Sequence, residues 1–87
     1  MKSARGLFEE LGYKLKYKNK YEIMYIKPDV LLNKVLPLNL YQYYKIIINR
    51  KYEIIKKYGS AITFKELQAI NQQINELGWN RKDWYYA

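Results

Sequence analysis

"ITFKELQAINQQINELGW", residues 62–79, carries the signals for both ends of one helix and decides how the rest of the chain is read. Thr63 stands at the N-cap with Glu66 three residues on, so each side chain can satisfy a backbone donor of the other, a capping box. Ile62 and Leu67 flank it as a hydrophobic staple. Phe64, Leu67, Ile70, Ile74 and Leu77 recur at intervals of three and four, which predicts one apolar stripe facing a core. Gly78 ends the helix: the residue past the last turn often adopts a left-handed conformation, which glycine does without steric cost. The next residue, Trp79, is then placed to pack back on Ile74. "FEELGYK", residues 8–14, repeats the device, with Gly12 as the stop and Tyr13 placed on Phe8. The repeat is therefore architecture. It implies a first helix over 3–11 with Ala4, Leu7, Phe8 and Leu11 facing inward.

Between the helices the period changes to two. In "YKLKYKNKYEIMYIK", residues 13–27, Tyr13, Leu15 and Tyr17 alternate with Lys14, Lys16 and Lys18. A polar turn at 18–20 and a second strand over 21–27 make a β-hairpin. "YYKIIINRKYEIIKKYG", residues 43–59, reads as another hairpin, with strands near 43–48 and 52–58. In "PDVLLNKVLPLNLYQ", residues 28–42, Asp29 can cap one or two helical turns that end at Pro37, or the segment is an apolar crossover loop. The expected fold class is α+β: a four-stranded antiparallel sheet of two hairpins, with the N- and C-terminal helices packed on one face. The 87 residues fit a single domain, with 80–87 as an aromatic tail.

"ARGLFEELGY" and "ITFKELQAINQQINELGW" resemble the ends of a group of small proteins encoded by phages and prophages of low-GC Gram-positive bacteria. The segment 28–40 is longer than in that group, and "NRKDWYYA" extends past its usual stop. The resemblance implies a phage-type accessory protein and supplies no catalytic residues. On that basis the expected function is non-catalytic binding and inhibition of a host protein or ribonucleoprotein machine in the host cytoplasm, with a CRISPR-type defence complex as one such target.

The ingredients for catalysis are sparse. With neither His nor Cys, the common zinc sites and the Ser-His and Cys-His nucleophile systems are excluded. The four glycines are isolated, so no phosphate-cradling loop is present. Tyr-x-x-x-Lys occurs in "YQYYK" at 41–45 and "YEIIK" at 52–56, but no dinucleotide fingerprint accompanies either. No carboxylate pair has a recognisable catalytic or metal-binding spacing. No enzyme activity, metal or cofactor is therefore expected. No apolar run is long enough to span a membrane, and the first residues lack a signal-peptide core, so no membrane partner is expected.

The net charge of +8 points to nucleic acid or an acidic partner. It also follows from AT-rich codons, which favour Lys, Ile, Tyr and Asn together. As a binding surface the expectation is a sheet face bearing Lys14, Lys16 and Lys18, joined by Lys45, Lys51 and Lys57 from the second hairpin, with tyrosines on which bases could stack. Solvated edge lysines that prevent sheet aggregation are the plain alternative. Arg81, Lys82, Trp84, Tyr85 and Tyr86 form a second candidate, because Trp, Tyr and Arg are the residues most used at interface hot spots; the same cluster could instead close the core. If both glycine stops are structural, Gly12→Ala and Gly78→Ala each lower stability by about 1 kcal/mol in thermal melts. Melts that match the wild type would refute the shared terminating device.

Overall fold

The computed structural model describes residues 2–59 and 61–79. The architecture is α+β, with helix α1 (Ala4–Glu10), strands β1 (Lys14–Lys18) and β2 (Glu22–Pro28), a short helix α2 (Val30–Asn33), a 3-10 turn (Leu38–Leu40), strands β3 (Tyr43–Asn49) and β4 (Ile54–Tyr58), and helix α3 (Phe64–Leu77). The four strands form one antiparallel sheet in sequence order. Each hairpin turn is organised by an asparagine. Asn19 Oδ1 accepts from the Tyr21 and Glu22 amides, and Asn49 Oδ1 from the Lys51 and Tyr52 amides. Arg50 joins the two turns by donating from Nη1 to the Asn19 carbonyl at 2.8 Å.

Both glycine stops are formed. The Tyr13 amide donates to the Phe8 carbonyl at 3.0 Å and the Trp79 amide to the Ile74 carbonyl at 3.1 Å, with Gly12 and Gly78 at positive φ. Ser3 caps α1 through its side chain, and Glu76 of α3 reaches across to accept the Ala4 amide at 2.6 Å. Leu7 and Leu11 are half-buried beside the fully buried Ala4 and Phe8.

The core lies on one side of the sheet. Ile23 pairs with Ile48, and Tyr25 with Ile46, so these four side chains share a face. All four are buried. Phe8 of α1 stacks on Tyr25 with ring centroids 4.0 Å apart, and Ala69 and Ile70 of α3 complete the cluster. Both helices therefore cover the same face.

The buried stripe of α3 keeps Ile70, with Ile74 and Leu77 packed against the core, but departs from the apolar pattern in the sequence at its start. Its fully buried residues are Glu66, Ala69, Ile70 and Gln73, whereas Phe64 and Leu67 are exposed. The reason is the tyrosines. A buried phenol needs a hydrogen-bond partner. Tyr13 donates to Glu66 Oε2 at 2.5 Å and Tyr25 donates to Gln73 Oε1 at 2.9 Å. α3 turns its two polar side chains inward to meet them. Ile62 and Leu67, expected to staple the helix start, both remain partly exposed.

Glu66 also keeps its capping-box role, accepting the Thr63 amide at 2.8 Å while Thr63 Oγ1 accepts the Glu66 amide. Its Oε1 takes a third donor, Lys57 Nζ at 2.7 Å, in an ion pair whose two side chains are almost wholly buried. Burial alone would raise the Glu66 pKa. The donors from Lys57, Thr63 and Tyr13 outweigh it and bring the value down from 4.5 to about 2. A carboxyl depressed in the folded state adds stability that is complete above its unfolded pKa and is lost as pH falls through the folded one. Melting temperature should therefore fall between about pH 4.5 and pH 2, and Glu66→Gln, less stable at neutral pH, should lose less over that window. Parallel acid profiles would remove Glu66 from this role. Lys57→Met, which leaves the carboxylate buried without its cation, should cost about 3 kcal/mol.

Candidate functional site

With both helices on one face, the other face of the sheet is left uncovered by them. Its residues follow from the register. One row runs Lys14, Ile26, Lys45, Tyr58 and the next runs Tyr17, Met24, Ile47, Lys56. The centre of this open face is thus aliphatic, and lysines stand around it.

The register also redistributes the six lysines expected on one surface. Lys14 and Lys45 do share the open face. Lys16 is exposed at a bulge, where β1 shifts by one residue against β2 between Leu15 and Tyr17. A one-residue shift reverses every side chain beyond it. Tyr17 therefore lies opposite Met24 on the open face, and Lys18 lies opposite Ile23 on the helix side of the edge strand. Lys18 does not belong to the expected lysine row. Lys51 sits in the β3–β4 turn, with Nζ 5.3 Å from the Tyr52 ring centroid, and not on the sheet. Lys57 is a correction of another kind: it pairs across from Ile46, points into the core and is held by Glu66 and the Ala61 carbonyl. The doublet pattern Ile54-Ile55-Lys56-Lys57 gives no parity, so sequence alone could not tell which lysine faces out. Lys56 does, and was missed. Arg81, Lys82, Trp84, Tyr85 and Tyr86 lie outside the described residues.

The connection between β2 and β3 adds a second apolar feature. Asp29 caps α2 by accepting the Leu32 amide, as the sequence suggests. The buried Asn33 closes the base of the connection, donating to the Gln42 carbonyl at 3.0 Å and accepting the Gln42 amide at 2.7 Å. The Asp29 amide also donates to that carbonyl. Above this polar clasp the chain is apolar and bare: Leu31, Val35 and Leu38 are each 78% exposed. Asp29 Oδ2 accepts the Tyr44 hydroxyl, a bond that raises the Tyr44 pKa, and the bond from Tyr17 to Glu22 does the same for Tyr17.

Where the connection meets the open face there is a groove of about 720 Å³, lined by Met24, Ile47, Lys45 and Tyr58 from the strands and by Leu32 and Tyr41 from the connection. Among the described residues no group of acidic side chains is placed to hold a metal ion, and no helix is long and apolar enough to cross a membrane. No protein-family model, curated protein or solved structure matches the chain.

Because the exposed leucines contribute little to the core, Leu31→Ser, Val35→Ser and Leu38→Ser combined should leave the melting temperature nearly unchanged, within the range of ordinary surface substitutions. Asn33→Ala, which strips partners from the Gln42 backbone, should cost about 1–3 kcal/mol. A large loss from the triple variant would mean that the connection supports the fold and is not a free surface.

Proposed function

We propose that this is a non-catalytic accessory protein of phage type that binds a host protein machine and inhibits it by occupying a surface. One observation carries the reading: the open face, aliphatic at its centre, adjoins a connection in which Leu31, Val35 and Leu38 stand in water. Large apolar side chains exposed together in this way fit an interaction site. The resemblance of the two chain ends to phage and prophage proteins supports a target in the bacterial host, and a CRISPR-type defence complex is the first to test.

A nucleic-acid reading draws support from Lys14, Lys45 and Lys56 with Tyr58 on one face. Bases, however, stack on aromatic rings, and the central positions are held by Met24, Ile26 and Ile47. Arginine forks, the usual phosphate clamps, are absent from the paired rows of that face. The protein-binding reading is therefore preferred.

The decisive experiment expresses the protein in bacteria with an active CRISPR-type defence and challenges them with a targeted phage. Plating efficiency should rise with the wild-type chain and return to baseline with the Leu31, Val35 and Leu38 serine variant, at equal expression. No rise with the wild type removes that target. Tight, salt-sensitive binding of DNA or RNA in a filter assay, lost on replacing Lys14, Lys45 and Lys56 by glutamine, would overturn the protein-binding reading in favour of nucleic acid.

A further inference from the structure

The groove under the β2–β3 connection has a definite chemistry. Met24 and Ile47, paired on the two central strands, make its aliphatic floor, and Asp29, Leu32, Tyr41, Tyr43, Tyr44 and Tyr58 also line it. Lys45 lies in the same groove, next to Ile26 in the register. Lys14 and Lys56 stand on the two edge strands of the same face, one on each side. Among the described ion pairs, none engages these three lysines. Two acids on this side, Glu22 and the groove-lining Asp29, already accept hydrogen bonds from Tyr17 and Tyr44.

We propose that this groove receives an acidic amphipathic helix of a partner protein, whose apolar side chains rest on Met24 and Ile47 and whose carboxylates meet Lys14, Lys45 and Lys56. This rests on the reading that the protein acts by binding another protein. Dimensions agree. β1 and β4 are three strand spacings apart, about 14 Å, which brackets a helix about 10–12 Å across. Helix-in-groove recognition uses apolar anchors at intervals of three and four residues, and the aliphatic floor offers them a place.

Charge selects among occupants. A second copy of this chain would bring its own lysines against Lys14, Lys45 and Lys56, in a protein already at +8. Like charges brought together across an interface cost several kcal/mol, whereas an acidic partner gains from the same field. A nucleic acid would find tyrosines at the margins, Tyr41, Tyr43, Tyr44 and Tyr58, but at the centre the aliphatic pair Met24 and Ile47, on which bases do not stack. An acidic helix satisfies both the apolar floor and the cations.

The test uses the full chain and a fluorescent peptide in which leucines recur at three- and four-residue intervals and glutamates fill the other positions. One control keeps that composition in scrambled order. Another replaces the glutamates by lysines. Fluorescence anisotropy should show saturable binding of the acidic amphipathic peptide, weakened by salt, and at least about tenfold weaker binding of each control. Lys45→Glu should weaken binding by about tenfold or more at an unchanged melting temperature, and the milder Lys45→Gln by less. Equal binding of the scrambled peptide would overturn the proposal, as would Lys45→Glu without effect. Binding to anionic vesicles through Lys45 and Ile47, with no peptide binding, would assign the groove to lipid instead. If the peptide fails while phage protection still depends on Leu31, Val35 and Leu38, only the acidic-helix inference falls. If both fail, the protein-binding reading falls with it.

Discussion

The Glu66 carboxylate is the constraint on which the rest of the structure depends. It receives the Tyr13 hydroxyl, the Thr63 amide and the Lys57 ammonium within one almost dry site. Each donor comes from a different part of the chain: the end of the first helix, the start of α3 and strand β4. Such a buried ion pair is not strong evidence of net stability, because desolvation offsets much of the attraction. Its effect here is on arrangement. α3 must present Glu66, and with it Gln73, to the sheet, so Phe64 and Leu67 turn outward. β4 must present Lys57 to the helices, so Lys56 turns to the open face. The composition of the free surface is in this sense set from the buried side.

What could be read from the sequence was local. The capping box, the two glycine stops and the hairpin alternation each need only a few neighbouring residues, and each signal was present in the chain. Both long helices and all four strands followed from them, whereas the helical turn after Asp29 was one of two readings left open by the sequence. What could not be read was long-range or parity-dependent. The shift in β1 register beside Lys16 leaves no glycine or proline to announce it, yet it exchanges the faces that alternation assigns to Tyr17 and Lys18. Of the apolar stripe of α3, Ile70, Ile74 and Leu77 do meet the core, but Phe64 and Leu67, although more hydrophobic than Glu66 and Gln73, turn outward. Hydrophobicity ranks side chains by transfer from water, whereas here unpaired phenols in the core made two polar residues the better inward choice.

The candidate surface was legible in its charge but not in its centre. Lys14 and Lys45 stand where alternation places them, while Met24 and Ile47 became a groove floor only once the helices were both on the opposite face. Among the described residues, α1 and α3 cover one side of the sheet and leave the other without a helical layer. The β2–β3 connection covers part of it and adds exposed leucines of its own. The lysines around the aliphatic floor fit the role of steering an acidic partner and rejecting a second copy of the chain.

A partner can dock only if this face and the connection are uncovered in the free protein. Hydroxyl-radical footprinting of the free chain at low concentration measures that directly, side chain by side chain. Leu31, Leu38 and Met24 should be modified readily, with Phe8 and Ile46 protected. Protection of Leu31, Leu38 and Met24 to the same degree as Phe8 would show that another layer already covers the surface, and would contradict the account.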